Sequence, residues 1–354
     1  MSYPHKNRRH ANWAVRLAFW AVIMLAVLIV AVVASVSFGS VRLPVDAVWR
    51  IIFIHSNVFS NGVQQPATAA DTIVWSIRMP RILLAMLIGS ALASSGAVFQ
   101  GVLRNPLADP YILGVSSGAS LGAALVIMFS SQLGLTWNGV LPLVAFLGGV
   151  CTLFVVYRLA SAGSKVRMET LLLSGVIIQA FLGAGLSLVL AMSHDKMQQI
   201  IYWLMGSLTL SDWSSGAVIA PYSLAGFVIM YGFSRELNIL SLGERNAHHL
   251  GMNVAAVRFI LLAVASLTAS AAVAVSGVIG FVGLIVPHIM RSLVGPDYRV
   301  LLPVSALGGA ILLIVSDTLA RTVMQPQELP IGVITAFLGA PFFAYLLRTR
   351  KLQQ

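Results

Sequence analysis

The feature that most constrains this chain is a series of long apolar stretches with hardly any charge inside them. Residues 259–290 contain no charged residue at all. At about 1.5 Å per residue, one helix over that length would exceed the ~30 Å hydrocarbon core of a bilayer. Gly277, Gly280 and Gly283 stand where a break is tolerated. We therefore predict one full membrane-spanning helix followed by a short one.

Stretches of this kind recur along the whole chain. Its 354 residues are 58% hydrophobic and only 9% charged, whereas soluble domains carry about 25% charged residues. A soluble enzyme, a disordered chain and a nucleic-acid-binding protein are thereby excluded. We predict an all-α membrane protein with about ten transmembrane helices, forming a single domain over 1–354. The predicted segments are 17–37, 82–103, 112–131, 139–160, 171–192, 214–233, 259–276, 278–290, 301–319 and 331–347.

The basic residues indicate the orientation of these helices. If the N-terminus is cytoplasmic, sixteen of the 22 lysines and arginines fall in cytoplasmic loops, as the positive-inside rule expects. The acidic residues divide almost evenly, so the whole net charge of +11 lies on the cytoplasmic side. We predict that residues 1–16 form a cytoplasmic tail and that both termini are cytoplasmic. The six outer basic residues are Arg42, Arg50, Arg78, Arg81, Lys196 and Arg321.

Two features of the chain bear on processing and compartment. The basic N-terminal residues followed by an apolar run could also be a cleaved signal peptide. That run is long for a signal peptide, so we favour a retained first helix. Cys151 is the only cysteine, so an intrachain disulfide is excluded on either side of the membrane.

The predicted helices lack the groups that would let the chain drive transport by itself. Ion-coupled carriers usually need ionisable side chains near the membrane midplane, and here the helix interiors hold almost none. No phosphate-binding loop of the Gly-x-x-x-x-Gly-Lys-Ser/Thr kind is present. We predict no catalytic, cofactor-binding or metal site, so an enzyme is disfavoured. If the chain pumps, a partner must supply the energy.

The longest polar loop on the cytoplasmic side, residues 234–258, is amphipathic. Leucines recur through it, and Gly243 and Gly251 would divide it into two short helices. An exposed amphipathic helix pair needs an apolar partner, either a lipid surface or a groove in another protein. Because the loop carries little positive charge, we favour a protein over lipid headgroups.

Several sequence blocks, in this order along residues 40–348, resemble the permease subunits of iron-chelate, haem and vitamin B12 ABC importers. The blocks are Ile77-Arg-Met-Pro-Arg81, Gly101-Val-Leu-Arg-Asn-Pro-Leu-Ala-Asp-Pro110, Leu113-Gly-Val-Ser-Ser-Gly-Ala119, Tyr202-Trp-Leu-Met-Gly-Ser207, Leu242-Gly-Glu-Arg-Asn-Ala-His-His-Leu-Gly251, Gly277-Val-Ile-Gly-Phe-Val-Gly-Leu-Ile-Val-Pro-His-Ile-Met-Arg291, Glu328-Leu-Pro-Ile-Gly332 and Gly339-Ala-Pro341. Each block is weak alone, but together they are specific.

The resemblance implies a ten-helix fold of the vitamin B12 importer type (type II) in a bacterial cytoplasmic membrane. It also implies a second permease subunit, identical or paralogous, two cytoplasmic ATPase subunits and an external substrate-binding protein. The cargo would be a bulky iron chelate, with cobalamin or haem as alternatives. An ion-coupled secondary transporter is the alternative from a different class. Membrane lipid is expected as a further partner, and nucleic acid is not.

The resemblance also assigns roles to particular residues. Outer arginines would grip acidic residues of the binding protein, Asn105, Pro106 and Leu107 would form part of a cytoplasmic gate, and the fifth and tenth helices would line the path. The docking arginines would be Arg78, Arg81 and Arg321. The surface that couples to the ATPase would comprise Leu237, Leu240, Leu242, Gly243, Glu244, Ala247, Leu250 and Gly251.

Overall fold

The protein is helical along most of its length. A computed structural model describes residues 13–39, 44, 48–51, 68–133, 137–161, 168–209 and 211–351. Residues 1–12 of the predicted cytoplasmic tail lie outside these ranges. The helices are α1 Trp13–Ser37, α2 Ala69–Val102, α3 Val115–Leu133, α4 Trp137–Ala160, α5 Met168–Met192, α6 Met197–Leu204, α7 Trp213–Gly232, α8 Ser234–Ser241, α9 Glu244–His249, α10 Val254–Ser276, α11 Val282–Val294, α12 Tyr298–Thr322 and α13 Ile331–Lys351.

Ten of these helices correspond to the ten predicted segments. Seven are long and apolar enough to cross a membrane: α1, α2, α4, α5, α7, α10 and α12. The other three, α3, α11 and α13, contain shorter apolar stretches. The all-α membrane fold predicted from the sequence is confirmed.

The long uncharged run is broken where the glycines predicted it. Helix α10 ends at Ser276, and α11 begins at Val282. Gly277 ends α10 with a φ of +71°, a left-handed conformation that glycine adopts without steric penalty. One helix thus becomes a full span and a short span, as predicted.

Helix α2 lies at the centre of the bundle, and small residues allow it to do so. In an 18-residue apolar stretch of α2, 78% of the residues are buried, whereas in the corresponding stretch of α5 only 11% are. A methyl group at Gly89 would overlap the carbonyl oxygen of Gly309 in α12, and one at Gly96 would overlap that of Gly283 in α11. Small residues at such crossings let helix backbones approach closely in membranes. Helix α5, in contrast, presents most of its surface outward.

The helix ends form two groups at opposite ends of the bundle. At one end, Arg78 and Arg321 contact the last turn of α1. At the other, Arg16 of α1 donates to the carbonyl oxygen of Val294, and the Arg299 guanidinium lies 5.0 Å from the ring centre of Trp13. We call the first the outer end and the second the inner end, following the orientation predicted from charge. That orientation remains a prediction.

Candidate functional site

The three arginines predicted to dock the binding protein lie together at the outer end, and all are buried. Arg78 is 4% exposed, and Arg81 and Arg321 are 6% exposed. Arg81 Nε lies 2.8 Å from Asp317 Oδ1, and Arg321 Nε lies 3.0 Å from Asp317 Oδ2. Asp317 of α12 thus holds Arg81 of α2 with one carboxylate oxygen and Arg321 of its own helix with the other.

Further hydrogen bonds tie this cluster to α1 and to the loop after α12. Arg321 Nη2 donates to Ser35 Oγ at 2.8 Å, and Arg78 donates to the carbonyl oxygen of Val36. Arg81 Nη1 also pairs with the half-exposed Glu328, at 2.9 Å. Buried charges are tolerated when they are paired and hydrogen-bonded in this way. The arginines therefore brace three helices within this chain.

The role of these arginines in docking remains a prediction. In this chain their guanidinium groups already contact internal acceptors, so a binding protein would have to displace those acceptors or meet the rim around them. Glu328 is the most exposed charged member of the cluster. The same arginines pack the last turn of α1 against α2 and α12.

At the inner end, the predicted gate residues form a tight turn directly after α2. The amide of Leu107 donates to Asn105 Oδ1 at 2.9 Å, which is the hydrogen bond of an Asx turn. The amide of Asn105 donates in turn to the carbonyl oxygen of Gln100, in the last turn of α2. Leu107 is exposed. The gate role remains a prediction, but the turn is attached directly to the central helix.

A cavity of about 300 Å³ is lined in part by the segment that follows this turn, beginning with Asp109. Irregular backbone surrounds it, in a 3₁₀ turn at Pro110–Leu113 and in the connection between α10 and α11. Gln179 of α5 donates to the carbonyl oxygens of Tyr111 and Ile112, at 3.0 and 2.8 Å. The Tyr111 hydroxyl donates to the backbone carbonyl oxygen of Ile279 at 3.0 Å. The lining residues are Asp109, Tyr111, Ile112, Ser116, Gln179, Gly280, Phe281 and Leu284.

These bonds explain how irregular backbone is accommodated inside the bundle. Non-helical backbone within a membrane protein is stable only where protein or a water-filled cavity satisfies its polar groups. Here two glutamines do so from neighbouring helices, because Gln100 also donates to the carbonyl oxygens of Gly283 and Leu284. Neither glutamine was predicted from the sequence to be a functional residue. An amide side chain inside an otherwise apolar helix was the available signal.

Asp109, in the cavity wall, leads to a prediction about pH. Burial raises the pKa of its carboxyl to about 6, although the hydrogen bond from the Tyr111 amide opposes this. Its contribution to stability is therefore complete below the unfolded pKa of about 3.9 and is lost as the pH rises through about 6. We expect Asp109→Asn, which keeps an acceptor for Tyr111, to flatten the fall in melting temperature over that interval in detergent micelles.

A control with the opposite sign is available at Asp212, which caps α7. Hydrogen bonds from Ser215 and Ser214 lower the pKa of Asp212. Its contribution is therefore present at neutral pH and lost on acidification, so Asp212→Asn should reduce stability most at neutral pH. If Asp109→Asn leaves the parent profile unchanged between pH 4 and 6, ionisation of Asp109 does not affect folding.

The predicted coupling residues separate into two groups. Leu237, Leu240 and Ala247 are buried in this chain, so the amphipathic face that the sequence analysis assigned to an external partner is partly covered internally. Leu242 and Leu250, in contrast, are 62% and 64% exposed at the ends of α8 and α9. The buried residues thus fix the helix pair to the bundle, and the two leucines project from it.

Glycines and an ion pair set the shape of this projection. Gly243 and Gly251 adopt φ values of +111° and +79°, so each helix stops where the sequence predicted. The exposed Glu244 pairs with Arg258 of α10 at 3.1 Å. Within the described ranges, no three histidine, cysteine or carboxylate side chains lie together as a metal-binding group would require.

Comparison with known proteins gives curated relatives that span most of this chain. It is 41% identical over 345 residues to the uncharacterized ABC transporter permease protein YvrB of Bacillus subtilis, covering 97% of this chain and 94% of that one. It is 48% identical over 284 residues to the cobalamin import system permease protein BtuC of Halobacterium salinarum, covering 80% and 75%. It is 38% identical over 335 residues to the Fe(3+)-citrate import system permease protein YfmE of Bacillus subtilis, covering 94% and 96%.

The fold has a relative among solved structures, and the sequence matches a family model. The solved chain, provisionally assigned to a metal-chelate type ABC transporter in an inward-facing conformation, superimposes with a TM-score of 0.79 at 33% identity. That superposition covers 92% of this chain and 97% of the other. Residues 27–349 match the model of the FecCD transport family. The chain is a multi-pass membrane permease and belongs to the FecCD transport family.

Proposed function

We propose that this protein is the membrane-spanning subunit of an ATP-binding-cassette importer that carries a bulky iron chelate into the cytoplasm. A separate ATPase pair would supply the energy, and an external binding protein would deliver the cargo. The observation that carries the proposal is the projecting helix pair α8 and α9 in a member of the FecCD family. Its buried leucines anchor it to the bundle, while Leu242 and Leu250 are exposed, where the ATPase would bind.

The names of the relatives support a metal-chelate cargo. One relative is named for Fe(3+)-citrate import, and the solved structure is assigned to a metal-chelate type transporter. Cobalamin is the second candidate, because the relative named for cobalamin import is 48% identical over 80% of this chain. Both cargoes are large metal complexes, so both would need a wide path.

A second permease subunit would complete that path. Helices α5 and α13 carry large apolar side chains that this chain leaves uncovered, including Phe181 at 73% and Phe337 at 75% exposure. These are the fifth and tenth spans, which the sequence resemblance places at the interface between two permeases. The cavity lined by the segment after the gate turn also includes Gln179 of α5 in its wall. A path between the two copies would therefore pass the predicted gate.

Uptake by the reconstituted importer tests this function. The permease, the ATPase and the binding protein encoded with it would be reconstituted in vesicles and supplied with ⁵⁵Fe-citrate, an ⁵⁵Fe-hydroxamate, haem or ⁵⁷Co-cobalamin. We expect uptake of an iron chelate that requires the ATPase and ATP. Uptake of cobalamin alone would select the second candidate. Uptake driven by an ion gradient without the ATPase would support a secondary transporter instead.

Charge introduced at the projecting leucines should uncouple the permease from its ATPase. Leu242→Asp and Leu250→Asp each place a carboxylate where we expect an apolar contact, and burying an unpaired charge in an interface is strongly unfavourable. We expect at least about a tenfold loss of ATPase in co-purification for each variant. Met324→Asp, at an exposed outer-end position, is the matched control. Full ATPase recovery with both leucine variants would rule out this surface.

A further inference from the structure

A chain of polar contacts links the projecting helix α8 to the start of α12. Asn238 of α8 donates from Nδ2 to Asp297 Oδ1 at 2.7 Å. Its Oδ1 accepts the backbone amide of Tyr298 at 2.9 Å. Because both ends of the Asn238 amide are engaged, α8 is fixed in one orientation against the first turn of α12. A movement of α8 would therefore be transmitted to Tyr298.

The Tyr298 side chain continues this chain of contacts into the bundle. It is buried, and its hydroxyl lies against Gly101 of α2, where a side chain would overlap it. The hydroxyl accepts a hydrogen bond from Arg291 Nη2 at 3.2 Å. The Arg291 guanidinium lies 5.9 Å from the centre of the same ring. Tyr298 thus connects the start of α12 to the last turn of α11.

Gln100 of α2 bonds to Arg291 and also to two other parts of the structure. Arg291 Nη1 donates to Gln100 Oε1 at 3.2 Å, and Gln100 Nε2 donates to the carbonyl oxygen of Leu284 at 3.1 Å. Leu284 lines the cavity. The backbone carbonyl oxygen of Gln100 also accepts a hydrogen bond from the backbone amide of Asn105, the first residue of the gate turn. One buried residue thus contacts both the cavity wall and the turn.

We propose that Asn238, Tyr298, Arg291 and Gln100 form a mechanical relay that transmits movement of the ATPase-coupling helix α8 to the gate turn and the cavity wall. The proposal rests on the importer function proposed above and assigns these four residues as positioning residues. Coupling between distant sites is carried by contiguous hydrogen-bond networks and packed elements that have discrete arrangements. This network is contiguous, is buried at Tyr298 and Gln100, and joins α8, α12, α11 and α2.

The relay is tested by the response of the gate turn to ATP. Leu107→Cys in a Cys151→Ser background places a single thiol on the turn, and a membrane-impermeant maleimide measures its exposure in the permease assembled with its ATPase. We expect the modification rate to change on ATP addition. Gln100→Leu should reduce that change by at least about tenfold, because it removes a hydrogen bond to a charged group. Tyr298→Phe should reduce it about fivefold, since only one hydroxyl is lost.

ATP hydrolysis and ATPase binding, measured on the same samples, separate a relay from a merely structural role. The relay predicts that ATP hydrolysis and ATPase binding both persist in the variants while the thiol response falls by these factors. Ser94→Ala, which removes a buried hydroxyl bonded only within α2, is the matched control and should respond like the parent. If Gln100→Leu does not assemble, Tyr298→Phe decides the question alone.

Two outcomes would contradict these ideas in different ways. A full thiol response in assembled Gln100→Leu or Tyr298→Phe would overturn the relay and leave the importer function intact. A parent protein that shows neither ATP-dependent thiol exposure nor ATP-dependent uptake would overturn the importer function, and the relay with it. The parent sample therefore distinguishes failure of the function from failure of the relay.

Discussion

Replacing Asp317 with alanine is expected to destabilise the folded permease by about 3–5 kcal/mol, because it strands buried charges. Asp317 accepts from both Arg81 and Arg321, and all three side chains are buried. Without the carboxylate, the Arg81 and Arg321 guanidinium groups would remain in the cluster with the half-exposed Glu328 as their one described acidic partner and with Ser35 as a neutral acceptor. The effect is measured as the difference in the free energy of unfolding between the purified variant and the parent in mixed micelles. Less folded protein should also accumulate in the membrane.

Glu328→Gln is the matched control for Asp317→Ala. Glu328 pairs with the same Arg81 but is half-exposed, so its removal should reduce stability by no more than about 1 kcal/mol. These unfolding measurements also bear on the docking prediction. Because they are made without a binding protein, they report only the internal role of the arginine cluster. If the arginines serve docking alone, Asp317→Ala and Arg81→Gln would both unfold like the parent, and only Arg81→Gln would lose attachment of the binding protein. Parent-like unfolding of Asp317→Ala would therefore refute the internal brace.

Gly96→Ala is expected to destabilise the bundle by about 2 kcal/mol or more, although it adds only one methyl group. That methyl would overlap the carbonyl oxygen and Cα of Gly283, which are backbone atoms and cannot rotate away. Helices α2 and α11 would have to separate. Because Gln100, one turn further along α2, contacts the carbonyl oxygens of Gly283 and Leu284, the separation should also stretch those hydrogen bonds. Mixed-micelle unfolding and the thiol response at position 107 report both effects.

The same methyl group can be placed where the bundle leaves room. A methyl at Gly232, the last residue of α7, meets nothing within 4 Å. Because alanine favours helix over glycine by up to about 1 kcal/mol, Gly232→Ala should be neutral or slightly stabilising. Equal effects of Gly96→Ala and Gly232→Ala would show that close approach of α2 and α11 is not what requires glycine at position 96.

The coupling loop illustrates how far sequence reasoning reached. Its two short helices and the glycines between and after them were predicted from the pattern of leucines and glycines, and the structure has them at those positions. The pattern did not separate leucines that face inward from those that face outward. Leu237 is buried and Leu242 exposed, although both belong to one amphipathic stretch. That division depends on α2 and α12, which are distant in sequence.

The outer cluster illustrates the same limit for charged residues. The sequence placed Arg78, Arg81 and Arg321 on one side of the membrane, and the structure brings them together with Asp317 and Glu328 at one end. Their pairing could not be read from the sequence, because Arg81 and Asp317 are separated by 236 residues. The resemblance assigned the arginines to an external partner, whereas the fold supplies internal acceptors for each of them. Docking therefore remains a prediction.

By itself, the sequence determined the membrane class, the ten spans, the break after α10 and the family. Those properties follow from local hydrophobicity, from glycine conformation and from motifs, each of which depends on residues that are close together in the sequence. Only the tertiary structure decided which polar groups meet. Gln100, Gln179, Asp109 and Arg291 acquire their roles from carbonyl groups and charges on other helices. Inside a membrane an unpaired polar group is costly, so its partner, fixed by packing, determines what that residue does.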